Sequence, residues 1–326
     1  MEIMVLAVKA ENLWIGYMDE EENILWAVRG ISIEVLEREI YCLVGESGCG
    51  KSTLGNAIVG ILPPYSVTKG RLRVFNREVI VEDEKHYEEI RGKLVTLIPQ
   101  NPGKALNPYL TISEQFYYVF NSLYELNKEN SLKKARELLG IVGLDPEQVL
   151  DSYPHELSGG MQQRTAIALA LATGAKIVVA DEPTSALDAN LRLQLLKLLL
   201  RLKNELGLTI IMITHDILSA TRICDRVAVM YAGKIVEETS TREIIENPLH
   251  PYTKMLFDAV PILGVKKKLV SYLGEPPRPG EYIKGCQFSK RCPKAMDICR
   301  EKEPEIIEIN GHRVACWLYN VEGGEK

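Results

Sequence analysis

The sequence predicts a mainly parallel α/β sheet, and three observations carry that expectation. Short apolar runs at residues 40–44, 177–180 and 208–213 have the composition of buried strands. The first run leads into a glycine-rich loop, and a helical pattern over 53–62 follows, stopped by Pro63 and Pro64. A leucine-rich helical stretch, Ala189–Leu206, separates the other two runs. Strands that alternate with helices around glycine loops argue for an open α/β sheet.

The remaining elements follow from local pattern. Ile31, Ile33 and Val35 alternate with polar residues, as a half-buried strand requires. Residues 70–81 form a second hairpin-like stretch. The segment 113–143 is helical in pattern, with Leu138, Leu139 and Val142 on one face. Residues 227–230 and 234–236 form a last hairpin that turns at Gly233. Past about residue 245 the chain becomes richer in proline, with Pro276, Pro277, Pro279 and Gly280 just ahead of a cysteine cluster. The expected division is therefore a domain over 1–245, with a helical subdomain at about 102–160, and an extension over 246–326.

Composition limits the function. The 326 residues suit one large domain or two modest ones, and a formal net charge of −5 gives no polycationic footprint for nucleic acid. No apolar run approaches the roughly 20 residues that cross a bilayer. Residues 1–10 lack a basic n-region and a small-residue cleavage site, so no signal peptide is expected and the protein should stay in the cytoplasm. Seven cysteines are unevenly spread: Cys42, Cys49 and Cys224 are scattered, whereas Cys286, Cys292, Cys299 and Cys316 crowd the tail. In a cytosolic protein such a cluster points to metal rather than to disulfides.

Chemistry is concentrated in three segments. Gly45, Glu46, Ser47, Gly48, Cys49, Gly50, Lys51 and Ser52 fit G-x-x-x-x-G-K-[ST] between a strand and a helix that begins near Thr53. Glycines let successive N–H groups point at phosphate oxygens, and the helix N-terminus adds partial positive charge. Lys51 can reach the β- and γ-phosphates of a nucleotide, and Ser52 can ligate Mg²⁺. The run 177–182 delivers Asp181 and Glu182 at the C-terminal end of a buried strand, where ligands sit in open α/β sheets. Asp181 is placed to hold magnesium and Glu182 to polarise an attacking water. Leu157, Ser158, Gly159, Gly160, Met161, Gln162, Gln163 and Arg164 put an N-cap serine and two glycines at the start of a helix, a second anion site that one nucleotide does not need twice on one chain.

In this order, the Walker A loop at 45–52, LSGGMQQR at 157–164, VVADEP at 178–183 and Thr214-His215 resemble the motif set of ABC ATPases. The resemblance covers roughly residues 5–245. It implies the ABC-ATPase cassette, that is, a P-loop NTPase core sheet with an antiparallel β subdomain and a helical subdomain, here with a small cysteine-rich extension. It also implies an ATP sandwich, in which Ser158, Gly159 and Gly160 of one cassette meet the nucleotide on the Walker A loop of the other. Gln100, after a strand at 94–98, matches the Q-loop glutamine that senses magnesium and the attacking water. Ser185, Ala186, Leu187 and Asp188 match the D-loop at the cassette interface. His215, after a strand at 209–214, matches the switch histidine. Tyr17 resembles the residue that stacks on adenine, with Trp26 as its rival if 18–25 is an insertion. Every catalytic position is intact, and Cys49 at a variable Walker A position makes the site open to thiol reagents.

Three further segments narrow the resemblance to the oligopeptide, dipeptide and nickel importer ATPases: 100–108 (QNPGKALNP), 153–157 (YPHEL), and His250-Pro251-Tyr252-Thr253 with Leu256 and Pro261 following. That family carries an iron–sulfur cluster in its C-terminal extension, which the tail cysteines resemble. A [4Fe–4S] cluster and a structural zinc are both compatible with four thiolates. The resemblance implies a peripheral protein at the cytoplasmic face of the membrane, with a second, paralogous or identical ATPase subunit, two permease subunits and, indirectly, a solute-binding protein. Short peptides are the expected cargo, with oligosaccharides or nickel as alternatives. A soluble ABC ATPase acting in DNA repair or on ribosomes would need a long coiled coil or two cassettes in one chain. A non-catalytic nucleotide sensor would not need the full catalytic set.

Overall fold

The computed structural model describes residues 5–79, 84–185, 187–259, 274–278 and 280–319. Expectations that involve residues 1–4, Val81, Ala186, Pro261 and Pro279 lie outside these. In chain order the elements are β1 (Leu6–Met18), β2 (Ile24–Leu36), β3 (Ile40–Val44), α1 (Lys51–Val59), β4 (Ser66–Val74), β5 (Arg77–Val79), α2 (Glu84–Glu88), β6 (Val95–Ile98), α3 (Pro102–Ala105), α4 (Ile112–Tyr124), α5 (Lys128–Ile141) and α6 (Pro146–Val149). There follow α7 (Gly159–Ala172), β7 (Ile177–Asp181), α8 (Ala189–Leu206), β8 (Thr209–Thr214), α9 (Ile217–Ile223), β9 (Arg226–Tyr231), β10 (Lys234–Ser240), α10 (Thr241–Glu246), α11 (Pro251–Asp258), α12 (Asp297–Glu301), β11 (Ile307–Ile309) and β12 (His312–Val314).

The strands form two sheets. One is antiparallel, ordered β2-β1-β4-β5; the other runs β11-β12-β10-β9-β3-β8-β7-β6, with β9, β3, β8, β7 and β6 parallel. Strand β3 is buried throughout, as parallel strands covered on both faces must be. Its period-2 alternation sends Ile40, Cys42 and Val44 into one core and Tyr41 and Leu43 into another. The first core joins the sheet to α4, α5, α7, α8 and α11; the second joins it to α1 and the antiparallel sheet. Gly55 lets α1 approach closely, because a Cβ there would lie 2.5 Å from Ile213 Cδ1.

Local chemistry sets the boundaries. Helix α1 stops at Gly60, which takes φ 82 in the left-handed region and caps the helix, three residues before the first proline. The expected helical stretch over 113–143 is two helices. Glu125 turns left-handed at φ 55, and the Asn127 side chain then caps α5 by accepting from Asn130 N. The hairpin at Gly233 forms as expected, with Ala232 and Gly233 both at positive φ. Cys42 and Cys224, both buried, are paired as a disulfide, with their Cα atoms 6.0 Å apart. Their 182-residue separation hides the pairing from any local reading. Among the described residues, no helix is long and apolar enough to cross a membrane.

The tail is built into the main sheet. Strand β12 pairs antiparallel with β10, and β11 pairs with β12. A buried acid anchors this addition. Glu237 on β10 is fully buried, and its carboxylate accepts from Leu249 N at 2.7 Å, His250 N at 2.8 Å and His312 Nε2 at 2.7 Å. Burial would raise the Glu237 pKa, but these donors outweigh it and leave it below the ordinary range. His250 is buried as well, and its Nδ1 accepts from Tyr252 N, so the ring is held neutral, with its pKa lowered by burial from 6.5 to about 4.

Both shifts point the same way. The unfolded chain takes up a proton at His250 near pH 6.5, and the folded chain only near 4, so stability falls as pH drops through that window. Glu237 adds a loss once pH falls through its depressed value. Urea unfolding between pH 7 and 4.5 is expected to show a loss on the order of 2 kcal/mol from His250 alone. A His250→Asn variant, which keeps an acceptor for the Tyr252 amide, should flatten that dependence.

Candidate active site

The phosphate loop leaves β3 at Gly45 and enters α1 at Lys51, and its glycines are required by close approach. A Cβ on Gly45 would lie 2.2 Å from the Met230 carbonyl oxygen, and one on Gly50 2.3 Å from the Ala27 carbonyl oxygen. Gly50, at φ 101, is the N-cap of α1 and offers no side chain to the first N–H groups of the helix. Gly48 takes φ 80, and the space where its Cβ would stand is open. The loop can thus present backbone N–H groups to an anion at a positive helix end. Lys51, nearly buried, donates to Gly45 O at 2.7 Å and Glu46 O at 3.0 Å. Ser47 is exposed at the loop's crest.

Opposite the loop, Ser52 Oγ donates to Asp181 Oδ1 at 3.1 Å. Burial pushes the Asp181 carboxyl above its ordinary range, the Ser52 hydroxyl works against this, and the neighbouring Glu182 adds to it. Two hard oxygen ligands side by side, one of them a carboxylate short of counter-charge, suit Mg²⁺. Glu182 follows directly. It is buried and sits at φ 47, a left-handed conformation that costs a non-glycine residue about 1 kcal/mol. That backbone turn directs Glu182 Oε1 to His215 Nδ1 at 2.9 Å, while Oε2 is buried without a hydrogen-bond partner. An orphaned carboxylate oxygen can accept a hydrogen bond from a water and polarise it. Gln100 lies exposed two residues past Ile98, the last residue of β6, which pairs with Ala180 of β7.

Tyr17, near the end of β1, donates its hydroxyl to Thr53 Oγ1 at 3.0 Å, beside the start of α1. Trp26 is engaged elsewhere: its ring packs edge-on against Trp14 at 5.6 Å, with the Lys69 ammonium 4.8 Å away. The segment between them is the turn that joins β1 and β2. Of the two, Tyr17 is the ring tied to the phosphate-loop helix.

Ser158 caps α7, its Oγ accepting from Met161 N at 3.4 Å, as the sequence predicts. Ser158 and Gly159 are exposed, and a Cβ on Gly159 would meet nothing within 4 Å. The helix packs on α3, α4 and α5, so its open N-terminus belongs to the helical lobe. Asp188 caps α8, accepting from Asn190 N and Leu191 N at 2.9 Å each. Cys49 overturns one expectation. Its thiol is buried and its pKa raised by burial, so it stays protonated and shielded rather than open to thiol reagents.

The tail cysteines are mutual neighbours. Burial lifts Cys286 to about 12 and Cys316 to about 11, and the other thiols of the set push in the same direction. The Cys286, Cys292 and Cys316 sulfurs each accept a hydrogen bond from the backbone two residues on, at Phe288, Lys294 and Leu318. Gly285 allows Cys286 to pair with the Cys299 carbonyl, since a Cβ there would lie 2.4 Å from that oxygen. Among the described residues, however, no three His, Cys, Asp or Glu side chains converge closely enough to hold a single metal ion. Zinc suffers most, because one ion needs all its ligands at a single point. The set of four thiols with backbone donors fits iron–sulfur chemistry only as a donor inventory.

Two contacts on the phosphate loop in this region were not foreseen from the sequence. The Tyr252 hydroxyl accepts from Glu46 N at 2.8 Å, and Arg291 grips the Glu46 carboxylate. Tyr252 stands within a motif that singles it out, whereas Arg291 carries no local signal.

Comparison with known proteins agrees with this geometry. Residues 28–185 match the ABC transporter family model, and 236–299 match that of the oligopeptide/dipeptide transporter C-terminal region. A dipeptide transport ATP-binding protein of Bacillus subtilis is 40% identical over 297 residues, 90% of this chain and 89% of that protein. An oligopeptide transport ATP-binding protein of the same organism is 38% identical over 328 residues, 99% of this chain and 100% of that one. Among solved structures, a dimeric bacterial ABC transporter cassette superposes with a TM-score of 0.64 at 32% identity, covering 72% of this chain and 99% of that one. CbiO1 from Clostridium perfringens, part of the ABC transporter complex cbiONQ, gives 0.64 at 27% identity, over 78% of this chain and 95% of that one. With an intact phosphate loop, a carboxylate pair at the strand end and relatives that span nearly its whole length, the chain belongs to the ABC transporter ATPase family, in the oligopeptide/dipeptide branch.

Proposed function

We propose that this ATPase drives the import of short peptides through separate membrane subunits, by closing on a second cassette around two ATP molecules. The observation that carries the reading is the pairing of a buried, half-satisfied Glu182 with a phosphate loop that enters α1 at Gly50 without a side-chain cap. In this reading Gly45, Glu46, Ser47, Gly48, Cys49, Gly50 and Lys51 contribute the backbone and ammonium donors around the phosphates, with Thr53 extending the set. Ser52 and Asp181 hold Mg²⁺, with Gln100 beside it, and Tyr17 meets the adenine. Glu182 takes the proton of the attacking water while His215 orients the carboxylate and meets the γ-phosphate.

Ser158, Gly159 and Gly160 serve the nucleotide of the facing subunit, and Asp188 steadies the helix that lines the junction. The exposed cap of α7 supports this, as does a solved relative that is a dimer. Closure supplies a differential affinity between open and closed states, which is what moves a coupled membrane partner. The partners are a second ATPase subunit, two permeases and, indirectly, a solute-binding protein, with this chain at the cytoplasmic face. Peptide cargo rests on relatives that are peptide transport proteins. In the tail, Cys286, Cys292, Cys299 and Cys316 are the residues that would hold a [4Fe–4S] cluster. They stand together with backbone donors to sulfur, and the cluster would serve as a structural staple.

Glu182→Gln is expected to keep ATP binding and to lose kcat by at least about 100-fold, read by phosphate release. Ser158→Arg in every cassette of the assembly should abolish hydrolysis and peptide uptake while single-cassette nucleotide binding persists. Hydrolysis or uptake that survives it would exclude the two-cassette sandwich. Anaerobic purification should yield about four irons and four sulfides per chain, and Cys299→Ser should lose them; protein free of iron would remove the cluster.

A further inference from the structure

One turn of the phosphate loop is held from outside the cassette motifs. Glu46 has three polar groups to satisfy, and all are engaged within the protein. Its N–H donates to the Tyr252 hydroxyl at 2.8 Å, and its carbonyl accepts from Lys51 Nζ at 3.0 Å and from Cys49 N at 3.4 Å. Its carboxylate is taken by Arg291 in a fork, Nη1 to Oε2 at 2.6 Å and Nη2 to Oε1 at 2.9 Å. Arg291 stands one residue before Cys292, in the cysteine-rich tail, 245 residues away in sequence.

The fork is not a surface ion pair. The Arg291 side chain is 7% exposed, and its Nη1 also donates to the Tyr231 hydroxyl at 3.3 Å. Tyr231, Tyr252 and Phe288 pack together around it, with ring centroids 4.6–5.4 Å apart. Exposed pairs contribute little, but a bidentate guanidinium–carboxylate pair that is half-buried, with the Glu46 side chain 29% exposed, is stronger and directional. Phe288 and Arg291 come from the tail, and Tyr252 from the helix that follows the cassette. The tail therefore grips the loop directly, at the residue whose carbonyl the phosphate-binding lysine also touches.

We propose that Arg291 is a positioning residue for nucleotide binding: through Glu46 it fixes the first turn of the phosphate loop, so that the cysteine-rich tail sets the affinity of the cassette for ATP. The loop binds phosphate with backbone N–H groups, and such donors act only when held in place beforehand. Without the fork, the loop must be ordered at the moment of binding, and that cost appears as weaker affinity. The inference rests on the nucleotide site alone and is independent of cargo and of any cluster.

The test is a set of full-length variants, Arg291→Gln, Arg291→Lys, Glu46→Gln and the double Glu46→Gln/Arg291→Gln. They are read by equilibrium binding of ATP, by the KM and kcat of hydrolysis, and by Tm. Arg291→Gln is expected to weaken ATP binding on the order of tenfold, with the loss carried by KM. Arg291→Lys should recover part of it, because a point charge replaces a fork. Glu46→Gln should weaken binding equally, and the double variant should be no worse than either single, the mark of a shared interaction. ATP affinity unchanged in Glu46→Gln, or losses that add in the double, would overturn the proposal. Glu46→Gln leaves the tail's own sequence intact, so it decides the matter even if Arg291→Gln fails to fold. A purely structural clasp would lower Tm in both without moving the binding constant.

Discussion

The site depends on one steric constraint: the chain must pass from β3 into α1 through gaps that admit no side chain. The Met230 carbonyl closes on Gly45 and the Ala27 carbonyl closes on Gly50. These carbonyls belong to β9 and β2, one strand from each sheet. The curl of the phosphate loop is therefore fixed by the packing of the two sheets as well as by its own sequence. A loop shaped in this way presents its N–H groups with little freedom left to lose, which favours tight anion binding.

Much of this was legible from residue types. Glycines at loop positions, a Lys-Ser pair at a helix start and two acids at the end of an apolar strand each have few alternative uses, and the strand and helix assignments needed only period and length. The division of the helical stretch at Glu125 was not legible, because Asn127 competes with helix continuation through its side chain, and pattern alone does not weigh that. Cys42 with Cys224, and Glu46 with Arg291, are pairs brought together by topology across most of the chain. The accessibility of Cys49 was misread for a related reason. A residue in a variable motif position looks free, yet its burial is decided by β9 and by Lys51.

The carboxylate proposed as the base shows how strain and function would meet. Glu182 holds a left-handed backbone that a glycine would accept more readily, and it holds it because Ile213 O receives its N–H at 2.9 Å and His215 receives its carboxylate. The conformation is over-determined by β8 and the residue that follows it, which is how a costly φ persists at a working site. One carboxylate oxygen is thereby satisfied by protein, and the other is buried without a partner.

The pairing of β12 with β10 has a consequence for how this protein can be handled. If the chain were cut where the cassette motifs end, β10 would become a bare rim of a buried sheet. Glu237 would lose His312, and Glu238, buried beside it, would lose Arg313. Glu238 would keep Arg226 and the Tyr41 hydroxyl, but the backbone N–H and C=O groups that β12 now pairs would be left open, a template for self-association with other copies. The familiar practice of trimming an ATPase to its minimal core would here expose an adhesive seam, which makes the cysteine-rich tail a solubility element of the molecule.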